Sequence, residues 1–317
     1  MKILVTGAGG PAGVCVIKDL IKRHEIVATD VDWLSSGLYL ANSYCLAPKV
    51  DDENFIQKML DIAKKENVSV VVPTVNEEMI YFAKNLGIFQ KENISVVVSN
   101  EKSIEIATNK LLTYRFFEKE IYCPKLYEKD GDKEKIGIVY PCVVKPIKSR
   151  GSRGFYICSS GEEVKVALKQ NLKGFGDGNS VIMEYLKGDE YSVYGLSNLE
   201  GKPLVAIPIK RIQAVSESKK AQVIKEKDII SVANDMASKL GLVGPWNIQL
   251  IKTETEPKIV EINPRFGGTT SLIVASGISY VELAIKVFTN QRIYSEELEY
   301  EDNVFMTRYN EEIFIRP

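Results

Sequence analysis

The fold of this chain is decided by two short segments, Trp246-Asn247-Ile248-Gln249-Leu250 and Val260-Glu261-Ile262-Asn263-Pro264-Arg265. In both segments the polar residues are two apart and alternate with apolar ones, so they share one face of a strand. The stretch Thr253–Pro257 between them predicts a hairpin turn that brings the two polar faces together. We therefore expect an antiparallel pair of largely buried strands with one polar face.

The polar face carries oxygen donors and no nitrogen or sulfur donor. Gln249, Glu261 and Asn263 offer carboxylate and amide oxygens, which suit Mg²⁺ held by few protein ligands together with nucleotide phosphates. Arg265 follows two residues after Asn263 and is expected to reach a phosphoryl oxygen on the same side. The alternative is a surface hairpin with one polar face. The apolar flanks and the glycines and hydroxyls of Gly267–Ser271 favour a site.

Three further segments have both a functional and a plain structural interpretation. Lys145 ends an apolar strand, where a lysine either points into a site or extends its ammonium to solvent. The loop Lys148–Gly154 is cationic and glycine-rich, as expected of a phosphate cradle or of a mobile surface turn. The strand from Val181 leads through a turn to Glu190. It either offers its main chain to an adenine edge and its acid to a ribose hydroxyl, or is an ordinary buried strand.

The first hundred residues alternate strands with helices, which predicts a parallel sheet with helices on both faces. Gly7, Gly9 and Ala12 after the first strand, with Asp30 ending the second, match a dinucleotide-binding fingerprint. The alternative is a turn that only packs a helix on the sheet. None of the fifteen tyrosines has a lysine four residues later, which counts against a short-chain dehydrogenase.

The composition excludes several kinds of chemistry. The 317 residues contain 41 Lys+Arg, 42 Asp+Glu and one histidine, so a zinc site built on several imidazoles is ruled out. A net charge of −1 gives no reason to expect nucleic-acid or membrane binding. Five cysteines without a CxxC pair, and no signal-peptide or transmembrane pattern, predict a cytoplasmic, reduced protein.

Taken in order along the chain, these segments resemble the ATP-grasp superfamily, specifically the half-synthetase unit of the carbamoyl-phosphate synthase large chain. The resemblance implies an α/β protein in which a Rossmann-like parallel sheet precedes an ATP-grasp fold of two α+β subdomains. The expected division is an N-terminal domain at 1–102, a small lid subdomain with its linking helix at 103–187, and a C-terminal subdomain with the Mg²⁺ site at 188–317. We expect one helix over Ile104–Glu120.

The resemblance also implies a role for each site residue. Those expected to bind ATP are Lys110, Lys145, Ser149, Arg150, Gly151, Ser152, Arg153, Gly154, Glu184, Tyr185, Leu186 and Glu190. Those expected to hold one or two Mg²⁺ ions, or Mn²⁺ instead, are Gln249, Glu261 and Asn263. Arg265 is expected to stabilise the moving phosphoryl group, and Lys210 and Arg211 to face phosphate or substrate. The residues expected to contact substrate are Gly9, Gly10, Gly267, Gly268, Thr269 and Ser271.

The implied activity is ligation of a small-molecule carboxylate to an amine, or to a thiol, through an acyl phosphate. Two alternatives remain at this point: an NAD(P)-dependent oxidoreductase that uses the N-terminal glycine turn, and a non-catalytic ATP-binding regulatory subunit. The resemblance also implies a homodimer, because enzymes of this family often form dimers. The chain departs from the parent family in having no glutaminase portion and a shorter, more arginine-rich glycine loop. Loops expected to select the substrates are Val31–Ala41, Ala214–Lys220 and Gly267–Ser271.

Overall fold

A computed structural model of the chain describes residues 1–127, 137–149, 151, 153–176, 178–215 and 217–316. The described residues form three sheets that follow one another along the chain. Among them, no helix has both the length and the apolar character needed to cross a membrane. The order of the sheets confirms the expected α/β class, with a parallel sheet first and antiparallel sheets after it.

The first sheet is parallel, and its strands are ordered β3-β2-β1-β4-β5. They are β1 (Lys2–Val5), β2 (Glu25–Asp30), β3 (Ser43–Leu46), β4 (Val70–Val72) and β5 (Ser95–Val96). The helices of this part are α1 (Pro11–Leu20), α2 (Phe55–Lys65), α3 (Asn76–Lys84) and α4 (Leu86–Lys91). Because side chains alternate along β1, Ile3 and Val5 pack with α1, while Leu4 packs with α2 and α3.

The strand order reverses direction between β1 and β4. Ligands of open α/β sheets bind at the carboxyl ends of the strands beside such a reversal. The residues that follow these two strands are Thr6 after β1 and Pro73, Thr74 and Val75 after β4. This edge of the sheet faces the C-terminal half of the chain, since Asn76 of α3 bonds to residues beyond position 260.

Two short helices and a small sheet come next. The helices are α5 (Glu101–Ala107) and α6 (Lys110–Phe116). The single helix expected over Ile104–Glu120 is therefore wrong. The side chain of Asn109 accepts hydrogen bonds from the amides of Leu111 and Leu112 and starts a new helix instead. The small antiparallel sheet, in the order β7-β6-β8, has strands β6 (Cys142–Pro146), β7 (Tyr156–Cys158) and β8 (Ser180–Glu184), covered by α7 (Gly161–Phe175).

The third sheet is antiparallel with six strands, in the order β13-β12-β9-β10-β11-β14. Its strands are β9 (Asp189–Ser197), β10 (Pro203–Val215), β11 (Glu217–Val223), β12 (Gly244–Lys252), β13 (Pro257–Asn263) and β14 (Phe305–Thr307). Its helices are α8 (Lys227–Leu240), α9 (Thr270–Ala275) and α10 (Tyr280–Phe288). The expected loop Ala214–Lys220 is wrong, because β10 continues to Val215 and β11, which begins at Glu217, pairs with it and with β14.

Two hydrophobic clusters connect the sheets. One joins β1 and α1 to the six-stranded sheet and to α9 and α10, through side chains such as Ile17, Tyr194 and Leu283. The other joins the three-stranded sheet to the opposite face of the six-stranded sheet, through Met183 and Trp246 among others. The end of β13 therefore lies where all three sheets approach one another.

Candidate functional site

The β12–β13 hairpin has the register that the sequence predicts. Gln249 lies opposite Glu261, and Asn247 lies opposite Asn263. Because side chains two apart point to the same face, all four polar side chains lie together on one face of the sheet. A register shift follows between Gln249 and Leu250, so this alignment ends just beyond the Gln249–Glu261 pair.

Two lysines from different elements reach this face. Lys110 begins α6, its amide donates to the carbonyl of Ile147, and its Nζ lies 3.4 Å from Glu261 Oε2. Lys145 comes from the centre of the small sheet, and its Nζ donates to the carbonyl of Val260 at 3.3 Å. That Nζ also lies 5.2 Å from the centroid of the Tyr114 ring, within range of a cation–π contact. Both lysines therefore point into a site, not to solvent.

Burial and charge set the pKa values of these groups. Burial and the neighbouring ammonium of Lys110 lower the pKa of Lys145 to about 7, although Glu261 acts in the opposite direction. For Glu261, burial acts to raise the pKa, but Lys110, the Asn263 amide and Lys145 outweigh it and lower the pKa. The carboxylate is therefore ionised at neutral pH and balances cations that lie close to it.

Asn263 and Arg265 are joined by a residue from the N-terminal sheet. Asn263 Nδ2 donates to Glu261 Oε1 at 3.1 Å, and Asn263 Oδ1 accepts from Asn76 Nδ2 at 2.8 Å. Asn76 Oδ1 in turn accepts from Arg265 Nε at 2.6 Å. Arg265 Nη1 also donates to the carbonyl of Phe266 at 2.7 Å. We call Lys110, Lys145, Glu261, Asn263 and Arg265 the β13 cluster.

The glycine loop beside the cluster is described in part. The carbonyl of Ser149 accepts from Lys110 Nζ at 3.4 Å, so the loop starts next to the cluster. Gly151 and Gly154 have positive φ values of 63° and 72°, which glycine adopts without strain. Arg153 is exposed. Arg150 and Ser152, which the sequence assigns to phosphate binding, lie outside the described residues.

The segment expected to hold adenine and ribose has acids that already have partners. Glu184 Oε1 accepts from the amide of Lys125 at 2.8 Å, so this carboxylate anchors the chain before β6. Tyr185 is exposed and Leu186 is buried. The Glu190 carboxylate is paired with Arg211 across the β9–β10 ladder. Lys210 is paired with Asp189 in the same way.

The backbone amides of the N-terminal glycine turn are already hydrogen-bonded to other groups of the first domain. Gly9 N donates to Asp30 Oδ2 at 2.8 Å, and Gly10 N donates to the carbonyl of Gly7 at 3.0 Å. A dinucleotide phosphate at these amides would have to displace the Asp30 carboxylate, which repels it. The structure thus gives the oxidoreductase alternative no support from the residues on which it depends.

The loop after Arg265 meets this turn. A Cβ on Gly268 would lie 3.0 Å from Pro11 Cβ, and a Cβ on Gly267 would lie 2.5 Å from the hydroxyl of Tyr194. The amide of Thr269 donates to that same hydroxyl at 3.1 Å. Ser271 is exposed. The residues expected to contact substrate therefore lie on both sides of the boundary between the first and third sheets.

Sequence reasoning missed Asn76, which completes the hydrogen-bonded chain from Glu261 to Arg265. An asparagine at a helix start ordinarily indicates a cap, so no sequence pattern connects Asn76 with residues almost 190 positions away. It also left Asn247 without a role. Asn247 is 4% exposed, and its Nδ2 has no hydrogen-bond partner among the residues that the structure describes.

The oxygen donors of the β13 cluster, together with Gln249 on the paired strand, suit a hard cation. Glu261, Asn263 and Gln249 offer only oxygen ligands, and Mg²⁺ prefers oxygen and keeps several positions for water and phosphate. Among the described residues no three His, Cys, Asp or Glu side chains converge on one point. With a single carboxylate beside two lysines, this set fits a metal that arrives with phosphate oxygens better than a metal that binds alone.

Two family models and several known proteins match this chain. Residues 178–312 match the family described as ATP-grasp in the biosynthetic pathway with Ter operon, and residues 3–97 match the PylC-like N-terminal domain. The chain is 26% identical over 280 residues to a formate-dependent phosphoribosylglycinamide formyltransferase of Wolinella succinogenes, covering 84% of this chain and 70% of that protein.

A second relative and a solved structure extend the comparison. The carbamoyl phosphate synthase large chain of Clostridium beijerinckii is 27% identical over 187 residues, which cover 56% of this chain and 17% of that one. The biotin carboxylase domain of the Hydrogenobacter thermophilus 2-oxoglutarate carboxylase superposes with a TM-score of 0.73 at 18% identity, over 94% of this chain and 72% of that one. At that identity the likeness concerns the fold. Taken together, these matches identify the chain as an ATP-grasp ligase with a PylC-like N-terminal domain.

Proposed function

We propose that the chain is an ATP- and Mg²⁺-dependent ligase that joins a small-molecule carboxylate to an amine through an acyl phosphate. The observation that carries this proposal is the β13 cluster, in which two lysines lie at the Glu261 end of β13 and Arg265 is connected to the same carboxylate through Asn76 and Asn263. Such an arrangement suits a polyphosphate that brings a divalent cation. Membership of the ATP-grasp superfamily supports the same reaction class.

The nucleotide-binding roles follow the positions of the residues. Lys110 and Lys145 would contact the phosphates, and the loop Ser149–Gly154 would close over them. The main chain of Glu184–Leu186 would meet adenine, while Glu190 would bind ribose with Arg211 fixing its carboxylate. Gln249, Glu261 and Asn263 would hold one or two Mg²⁺ ions, which supply charge neutralisation at the phosphates.

The reaction has two steps. A carboxylate oxygen of the first substrate attacks the γ-phosphorus of ATP, the bond to the β-phosphate oxygen breaks, and ADP leaves. The amine of the second substrate then attacks the acyl carbon, loses a proton and expels phosphate. Arg265, oriented through Nε and Nη1, stabilises the charge on the moving phosphoryl group. Catalysis by positioning and charge needs no histidine, in keeping with the single histidine of the sequence.

The same proposal covers the organisation of the chain. We propose the division 1–102, 103–187 and 188–317, in which each part contains one of the three sheets. The residues that choose the acceptor are proposed at the boundary of the first and third sheets. There Gly267, Gly268, Thr269 and Ser271 meet the turn at Gly9 and Gly10. Since the Gly9 and Gly10 amides are already bonded, these two residues would shape the site and not bind an anion. We also propose that the chain forms a homodimer, because related ligases commonly do.

The test is ADP release across a panel of carboxylates and amines, together with the unfolding temperature in MgATP and in NADH. Stabilisation by MgATP and substrate-dependent ADP release are expected. Stabilisation by NADH alone would overturn the proposal. Stabilisation by MgATP without ADP release from any pair would favour a non-catalytic ATP-binding subunit.

The variant Glu261→Gln tests the metal site within the same assay. It is expected to fold normally and to lose most Mg²⁺-dependent turnover, because it removes the cluster's carboxylate while keeping its shape. Glu163→Gln, a change to an exposed acid on α7, is the matched control and is expected to behave like the wild type. Unchanged turnover in Glu261→Gln would mean that the metal site lies elsewhere.

A further inference from the structure

The N-terminal glycine turn is a motif that the proposed function leaves without a chemical role. Gly7 has a φ of 58°, and a Cβ at this position would lie 2.3 Å from Val75 Cγ2. Close approach to the β4–α3 connection, in addition to the backbone conformation, therefore requires glycine here. The turn supports that connection directly.

Threonine side chains fix the same connection to the end of β1. Thr74 Oγ1 donates to the carbonyl of Thr6 at 2.7 Å, and the amide of Thr74 donates to Thr6 Oγ1 at 3.2 Å. Both threonines are buried, since Thr6 is 0% exposed and Thr74 is 5% exposed. Buried hydrogen bonds of this kind hold the backbone at Thr74 and Val75 in one position.

Asn76 is the next residue and the first of α3. An asparagine near a helix start commonly caps the helix with its side chain, but within the described part of the chain no side chain caps the start of α3. Asn76 instead uses both ends of its amide on the other half of the chain. It donates to Asn263 Oδ1 at 2.8 Å and accepts from Arg265 Nε at 2.6 Å.

We propose that Asn76 is a positioning residue for Arg265 and Asn263, and that the glycine turn acts on the reaction by supporting Asn76. This inference rests on the proposed function of the β13 cluster. A guanidinium on a long flexible side chain is useful to a transition state only when its orientation is fixed beforehand. Asn76 at Nε and the Phe266 carbonyl at Nη1 fix the plane of that group. The N-terminal domain thereby completes a site formed mainly by the third sheet.

Two substitutions of Asn76 separate its two contacts. Asn76→Ala removes both, and it is expected to lower kcat by about 10- to 100-fold while the KM for ATP changes little, because Asn76 is not placed against nucleotide. Asn76→Asp keeps an acceptor for Arg265 but replaces the donor to Asn263 Oδ1 by an oxygen, so that two acceptors face each other. It is expected to retain more of kcat than Asn76→Ala and to weaken Mn²⁺ binding in the presence of ADP by about 10-fold or more.

The matched control is Asn85→Ala, at the other end of the same helix. Asn85 Nδ2 donates to the carbonyl of Tyr81 at a solvent-exposed position, so the same chemical change is made far from the cluster. This variant is expected to match the wild type in kcat, KM and Mn²⁺ affinity. An equal loss in Asn85→Ala and Asn76→Ala would mean that the effect comes from α3 as a whole, and would overturn the inference.

The glycine turn is tested by combining variants. If Gly7 acts through Asn76, then Gly7→Ala lowers kcat in the wild type but adds little further loss to Asn76→Ala. Fully multiplicative losses would overturn this part of the inference. If Gly7→Ala does not fold, as thermal unfolding would show, the Asn76 variants alone decide.

The outcomes also separate this inference from the proposed function. A wild-type chain that releases no ADP with any substrate pair overturns the proposed function. Mn²⁺ titration with ADP then still reports on Asn263. Mn²⁺ affinities that are equal in the wild type and Asn76→Asp would show that Asn76 does not position Asn263. An unchanged kcat in Asn76→Ala of an active enzyme would show that Asn76 does not position Arg265.

Discussion

Replacing Lys145 by Met should stabilise the protein without nucleotide. Lys145 is 5% exposed, and its pKa is lowered from 10.5 to about 7 by burial and by Lys110. That difference corresponds to roughly 5 kcal/mol of free energy disfavouring the charged form in the folded chain. A methionine at position 145 carries no charge and therefore removes this penalty. The lost amine hydrogen bond to the Val260 carbonyl costs only about 1 kcal/mol, because that carbonyl still accepts from the Tyr114 hydroxyl at 2.7 Å.

The expected effect depends on pH with a definite sign. Below pH 7 the lysine is charged in both states, so the whole penalty is present and Lys145→Met should be more stable by about 3 to 4 kcal/mol. Between pH 7 and 10.5 the unfolded chain binds more protons than the folded one, so the wild type gains stability as pH rises. At pH 9 the advantage of the variant should fall to about 1 kcal/mol or less.

Urea unfolding at pH 6, 7, 8 and 9 measures this difference. Trp246 is buried in the six-stranded sheet and supplies a fluorescence signal for that part of the chain. Lys169→Met on the exposed side of α7 is the matched control, expected to change stability by less than about 0.5 kcal/mol. The reasoning would be refuted if Lys145→Met were no more stable than the wild type at pH 6, or if its advantage stayed constant to pH 9. The variant should also bind MgADP more weakly, since it lacks the cation.

Two further predictions concern other buried positions. Gly195→Ala should lower the free energy of unfolding by about 1 to 3 kcal/mol or more, because the new Cβ would lie 2.0 Å from the Trp246 ring. The control is Gly174→Ala on α7, where a Cβ meets open space, and it should be neutral or stabilising in the same unfolding assay. Glu78→Gln should stabilise the protein at pH 8 by up to about 3 kcal/mol. Burial raises the pKa of Glu78 to about 7, so the wild type loses stability as the pH rises from 4.5 to 7, and the glutamine variant does not. Glutamine can still accept from Thr6, and an advantage that did not vanish near pH 4 would contradict this assignment.

Periodicity was sufficient for most of the fold. The alternation of strands and helices in the first hundred residues predicted the parallel sheet, and its strands Lys2–Val5 and Glu25–Asp30 lie on apolar runs that give a clear local signal. The break at Asn109 was missed because apolar spacing continues across it, although asparagine is a common helix cap. The strand Glu217–Val223 contains Lys219 and Lys220, and its pairing with β10 and β14 overrides its weak local preference.

The candidate site was predictable where its residues are close in sequence. Alternation along β12 and β13 was enough to place Gln249 opposite Glu261. The approach of Lys110 to Glu261 depends on how α6 packs, and only the family resemblance suggested it. The contact of Asn76 with Arg265 had no signal of either kind, because it forms only when the first and third sheets are packed together.

The ion pair between Lys110 and Glu261 has a consequence for how nucleotide is captured. In the proposed function, a triphosphate entering this cleft would exchange with an internal counter-ion instead of meeting bare cations. Each new contact between phosphate and Lys110 would replace one to the Glu261 carboxylate, which would then be free to bind the incoming metal. Long-range attraction of free nucleotide should therefore be modest, and its affinity should fall less steeply with ionic strength than the number of lysines and arginines alone would suggest.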